Sequence, residues 1–147
     1  IRDSYRPLNN IFLNPFMEFL RKKFICKNQI KKGLNGVRDA IEYIKNDFSI
    51  ALMIDQRVSE GEKINLFKKP ALTTTLPAQL ALKYKLSIVP VFIQRKSNSK
   101  FVLEFQNEIK SEDFNNKLEL TQKLNEVLEK MVVRNPSQWI WTHNRWK

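Results

Sequence analysis

Apolar positions along the chain recur at two different periods. Leu13, Phe16, Met17, Leu20 and Phe24 return at three- and four-residue steps, which places them on one face of a helix. Asn14-Pro15 supplies a start signal near its front, and Arg21, Lys22 and Lys23 give it a basic end. Leu34, Val37, Ile41 and Ile44 set out a second amphipathic helix ending near Asp47. Residues 49–54, SIALMI, form an uninterrupted apolar run, the pattern of a parallel strand covered on both faces. Asp55 falls at its carboxyl end, and a loop is expected after it. Residues 75–84, TLPAQLALKY, read as a helix with threonines to cap it and Pro77 in the first turn, where the missing N–H does little harm. Residues 87–93, SIVPVFI, read as another buried strand. Strand, helix and strand at these lengths predict a right-handed βαβ crossover.

Beyond Gln94 and Arg95, KSNSK is a turn signal and FVLEF alternates as a strand with one wet face. Leu120, Leu124, Val127, Leu128 and Met131 predict a long helix on the sheet, which Asn135-Pro136 stops. The expectation is an α/β fold, a mostly parallel sheet flanked by helices, in a single domain over residues 1–147.

Composition narrows what such a domain meets. Twenty-six Lys and Arg against fifteen Asp and Glu leave a formal charge of +11, a field that favours polyanions such as nucleic acid, an anionic membrane surface or a phosphorylated ligand. Sign alone does not choose among them. One cysteine, Cys26, allows neither an internal disulfide nor a CxxC metal site, which points to a reducing, cytoplasmic setting. No apolar run approaches the ~20 residues of a spanning helix. The chain begins with Ile1 rather than Met, so it reads as a piece of a longer protein whose missing part has room for a membrane anchor. Only Gly33, Gly36 and Gly61 occur, which excludes a glycine-rich phosphate loop.

In open α/β sheets ligands gather beyond the carboxyl ends of the strands, here Asp55-Gln56-Arg57 and Gln94-Arg95. The helix starting near Thr75 would turn its positive end toward the same rim, with Lys68 and Lys69 preceding it. Asp55 is open to two readings, a site carboxylate or a strand-end acid that caps a loop. Arg21 sits at the border of its apolar stripe, so its stem can lie on the core while the guanidinium reaches a rim, or it is a solvated member of the RKK run.

SYRPLNN near the start, Arg21, MIDQR, KPALTTTLPAQLA, IVPVFIQR and the closing NPSQWIWTHNRWK occur in an order and spacing that resemble the bacterial lipid A biosynthesis acyltransferases, the lauroyl/myristoyl transferase family. The resemblance covers essentially the whole chain. It implies a glycerolipid-acyltransferase-like fold whose amino-terminal part is missing here. It also implies transfer of a fatty acyl chain from acyl carrier protein to a hydroxyl of a lipid A precursor at the cytoplasmic face of the bacterial inner membrane, with no cofactor and no metal. The family's H-x4-[D/E] motif, whose histidine is the general base, lies upstream of the tyrosine-arginine-proline segment in relatives and is not present here. His143 has four residues after it, none acidic, and matches a different histidine of the family. Arg21 and Asp55 fall on the family's active-site arginine and strand-end aspartate; Arg95, Lys68, Lys69 and Arg145 are carried as substrate-binding. A second departure is NLFKKPA, where relatives often place Phe-Phe-Gly. In the tail, Trp139 and Trp141 are expected to be buried on one face of an extended segment, and Arg145, Trp146 and Lys147 to meet headgroups or phosphate. The competing readings are an acyltransferase of the same fold acting on another glycolipid or glycerophospholipid, a basic nucleic-acid-binding domain, and, given the absent motif histidine, a non-catalytic remnant. The core-like spacing of the aromatics argues against nucleic acid as a partner.

Overall fold

The computed structural model describes residues 2–5, 10–27, 29–31 and 33–147; Arg6 and Pro7 of the tyrosine-arginine-proline segment lie outside them. The chain divides into two compact units, residues 1–53 and residues 54–147, each described by itself.

In the first unit β1 (Arg2–Tyr5), β2 (Gln29–Lys31) and β3 (Ile50–Ala51) form a short parallel sheet in the order β2-β1-β3. Between them run α1 (Leu13–Phe24) and α2 (Leu34–Lys45), close to the bounds the periodicity predicts. The carboxamide of Asn10 starts α1 by accepting from the N–H groups of Phe12 and Leu13, each at 3.0 Å, as an N-terminal cap does. Gly33 precedes α2 at φ 129°, a backbone region closed to residues with a Cβ. Ile30 and Ala40 are buried, whereas Phe12, Phe16, Phe19 and Phe24 of α1 and its entry are exposed.

The second unit is built on a hairpin. β4 (Glu62–Leu66) and β5 (Lys69–Thr73) pair antiparallel with Leu66 opposite Lys69, so Phe67 and Lys68 alone make the turn. Ile64, Leu66, Ala71 and Thr73 point inward. α4 (Lys117–Arg134), capped by the Asn116 side chain, lies on this hairpin through Leu128 and Val132, which form a core with Leu66 and Ala71. α3 (Leu76–Tyr84) packs on α4 through a second core of Ala78, Ala81 and Leu120. β6 (Ser87–Ile88) pairs with β9 (Ile109–Lys110), and β7 (Val91–Arg95) with β8 (Phe101–Phe105), both antiparallel. Among the described residues, no helix is long and apolar enough to cross a membrane.

An α/β fold is therefore present, but a mostly parallel sheet is not. Among the described residues parallel pairing is confined to β1, β2 and β3, and the predicted βαβ crossover is not made. β3 keeps only two residues of the 49–54 run and pairs with β1. The 87–93 run is cut at Pro90, which has no N–H to give a ladder, and both halves pair antiparallel. The segment read as a loop after Asp55 contains the β4–β5 hairpin instead.

Candidate active site

Arg21 lies in the last turn of α1, half-buried, in the first unit. Asp55 lies in the second unit, half-buried, at a bend in the irregular stretch before β4. The remaining candidates all belong to the second unit. Lys68 is exposed in the hairpin turn and Lys69 opens β5, also exposed. Arg95 ends β7 at the surface, its guanidinium 5.2 Å from the centre of the Phe101 ring, within cation–π range.

The main-chain groups of Arg95 are held by the tail. Its N–H donates to Gln138 Oε1 and its carbonyl accepts from Gln138 Nε2, each at 2.9 Å. One glutamine side chain thus occupies the open edge of β7 as a strand residue would. At the front of α3, Thr74 Oγ1 accepts from the Leu76 N–H at 3.3 Å, and Thr75 Oγ1 accepts from Gln79 Nε2 at 2.8 Å. Thr74 thus takes one N–H of the first turn, while Thr75, at the N-cap position, makes no capping bond with its side chain.

Residues 139–147 turn inward rather than run extended. Trp139 is half-buried with Phe67 and Trp146 against the Leu66–Val132 core. Trp141 stays 50% exposed, stacked edge-to-face on Trp139 at 4.6 Å with its indole N–H on the Pro136 carbonyl at 2.8 Å. The 3-10 turns Pro136–Gln138 and Trp141–His143 flank Trp139, which alone keeps the extended backbone expected there. Trp146 is drawn toward the core by its indole N–H, which donates to the Leu66 carbonyl at 3.1 Å, so it is no headgroup-facing ring. His143 is exposed.

Arg145 is 1% exposed. Its Nη2 donates to Thr73 Oγ1 at 2.7 Å, and its carbonyl accepts from the Leu72 N–H at 2.9 Å. Thr73 Oγ1 also accepts from Asn125 Nδ2 at 3.3 Å and donates to the Ala71 carbonyl at 3.1 Å. Asn125 reaches the Asn65 carbonyl at 2.9 Å as well. This buried relay ties tail, hairpin and long helix together. Gly61 fits beside it because a Cβ there would lie 2.7 Å from the Thr73 carbonyl oxygen. Burial pushes the Arg145 guanidinium below its ordinary pKa, and the negative charge of Asp55 opposes that push. No hydrogen bond or ion pair joins Arg145 to Asp55 among the described residues.

Thr73 and Asn125 were not legible as members of this buried hydrogen-bond network from pattern alone. Their signal was a polar residue where the stripe of α4 is buried, since Asn125 sits between Leu124 and Leu128 and is 1% exposed. Among the described residues no cluster of three or more His, Cys, Asp and Glu side chains is arranged to hold a metal ion. A surface concavity lined by Glu62, Lys63, Ile64, Asn65, Leu118, Glu119 and Gln122 contains none of the predicted site residues. No curated protein matches the chain individually. The family model described as bacterial lipid A biosynthesis acyltransferase matches residues 4–147, nearly the whole sequence, and the chain belongs to that family.

Proposed function

We propose that the protein transfers a fatty acyl chain from acyl carrier protein to a hydroxyl of a lipid A precursor, at the cytoplasmic face of the bacterial inner membrane. The observation that carries the reading is the family match over residues 4–147. In it Arg21 and Asp55 bind or orient the reacting groups, and the exposed cations Lys68, Lys69 and Arg95 take phosphate or anionic headgroups, each worth about 1 kcal/mol near an anionic surface. The exposed phenylalanines of α1, interleaved with Arg21, Lys22 and Lys23, support placement against lipid, since aromatic and basic side chains together suit the boundary between headgroups and acyl chains.

The proton must leave the acceptor hydroxyl through a general base. His143 is the one histidine and no carboxylate follows it, so the reading assigns the base to a histidine outside these 147 residues. The 147 residues by themselves then transfer no acyl group, and any measurable transfer refutes that assignment. In an enzyme form competent for catalysis, Arg21→Ala and Asp55→Ala each lower turnover on the order of 100-fold with little change in melting temperature. Unchanged turnover in both removes the site.

A further inference from the structure

The hairpin of β7 and β8 has two unlike faces. Its register sets Val91 opposite Phe105, Ile93 opposite Leu103 and Arg95 opposite Phe101, so these six side chains share one face. The other face carries Phe92 and Glu104 and is anchored to the end of α4. Arg134 there donates to both oxygens of Glu104, at 2.7 and 2.8 Å, and lies 4.7 Å from the centre of the Phe92 ring. With that face held against the helix, the first stands in solvent, its apolar side chains exposed from 39% at Val91 to 69% at Phe105. An antiparallel sheet with one wet face puts polar side chains on it; here the wet face is the apolar one.

Charge of one sign borders this face. Arg95, Lys96 and Lys100 stand exposed at the tip of the hairpin. Between Leu86 and Asn107 the sole acid is Glu104, and Arg134 already balances it from the opposite face. An apolar face edged by cations is complementary to an anionic phospholipid surface, where acyl chains take the apolar groups and phosphates take the charges. Arg95 suits such a boundary, because the Phe101 ring 5.2 Å from its guanidinium and its own stem can enter while the charge stays among headgroups. A second copy of the chain fits worse. It would bring another +11 against the first, which repels, and the main chain of Arg95 on the free side of β7 is already taken by Gln138, which blocks strand addition there.

We infer that this face of the β7–β8 hairpin, with its basic tip, docks on an anionic phospholipid bilayer, its apolar side chains entering the boundary between headgroups and acyl chains. The inference deepens the proposed function and rests on its placing the protein against lipid. It adds a lipid contact in the second unit, separate in sequence from the phenylalanines of α1.

Cosedimentation of the chain with vesicles tests it, comparing vesicles of equal parts phosphatidylglycerol and phosphatidylcholine with vesicles of phosphatidylcholine alone. Ile93→Thr, Leu103→Thr and Phe105→Thr made together keep charge and strand propensity, and at exposed positions should leave the melting temperature within about 3 °C of the parent. This triple variant should partition onto the anionic vesicles at least about tenfold more weakly than the parent. Lys96→Ser with Lys100→Ser should also bind more weakly and lose less on raising salt. Phe16→Ser with Phe19→Ser in α1 is the comparison. A parent that binds neither vesicle removes the placement against lipid, and the inference with it. Parent-like binding by the triple variant, while the α1 variant has lost it, overturns the hairpin face alone. Equal binding of the parent to phosphatidylcholine overturns the preference for anionic lipid. A parent dimer that the triple variant converts to monomer, with vesicle binding unchanged, makes the face an interface between copies and overturns the inference too. If the triple variant does not fold, Leu103→Cys in a Cys26→Ser background, carrying an environment-sensitive fluorophore, decides instead. A blue shift on anionic vesicles with quenching by chain-labelled lipid supports insertion, and an unshifted spectrum on bound protein overturns it.

Discussion

The hairpin turn at Phe67 and Lys68 holds two L-residues in a left-handed conformation, at φ 52° and 61°. A two-residue antiparallel loop needs positive φ at both positions, which is why Asn-Gly dominates such turns. Each L-residue there costs about 1–2 kcal/mol. Lys68→Gly removes that cost and gives back about 0.5–1 kcal/mol through the freer unfolded chain. Lys68 is exposed, so little packing is lost with its side chain. The net gain is about 1 kcal/mol, or roughly 4 °C in melting temperature for a chain of this size. Phe67→Gly relieves the same kind of strain but deletes a ring that contacts Trp139 and Trp146 at centroid distances of 6.4 and 6.5 Å. Removing a core-facing aromatic costs about 3 kcal/mol, so this variant should melt lower. Calorimetry on the two variants and the parent reads both signs. If Lys68→Gly melts at or below the parent, the turn is not strained as argued. A stabler Lys68→Gly that also binds anionic vesicles more weakly would mean that the lysine is kept at this position for its charge, against local stability.

Thr73→Val keeps the volume but strips the hydroxyl from the buried relay, leaving donors of Arg145 and Asn125 without an acceptor. It should lower unfolding free energy by about 3 kcal/mol, read as a lower urea midpoint at unchanged slope; an unchanged midpoint would show the relay to be dispensable. The Glu104 carboxyl is held below its ordinary value of 4.5, first by its hydrogen bond to Arg134 and also by the Arg134 charge. Because the folded value lies below the unfolded one, its contribution is fully present above pH 4.5 and is lost as pH falls through the lower folded value. Glu104→Gln should therefore flatten the acid side of the stability profile and leave little else changed, as expected of an exposed pair; an acid limb as steep as the parent's counts against the pair.

The helices were legible in the sequence because each buries a stripe at helical spacing: α1, α2, α3 and α4 fall within a few residues of the predicted bounds. The β4–β5 hairpin was not, since its turn carries phenylalanine and lysine where glycine or asparagine would announce it, and Pro70 lies within β5. Alternation was nevertheless present in Ile64, Leu66, Ala71 and Thr73. Strand direction was misjudged because a continuous apolar run signals burial on two faces without naming the partner. Arg21 and Asp55 entered through the family resemblance; periodicity put them at plausible borders and no further. The tail misled for a physical reason. Tryptophan beside arginine and lysine looks interfacial by composition, but two short turns aim Arg145 and Trp146 at acceptors inside the fold, the Thr73 hydroxyl and the Leu66 carbonyl.

Gln138 settles on the free side of β7 with one amide, satisfying a backbone donor and acceptor that another chain would otherwise find. The hairpin it guards has Val91, Ile93, Phe101, Leu103 and Phe105 exposed, so an uncovered margin there would offer both a hydrogen-bonding template and an oily surface to copies of the same protein. A single carboxamide thereby acts as a stopper against intermolecular strand addition, and its loss would be felt first as precipitation at high concentration.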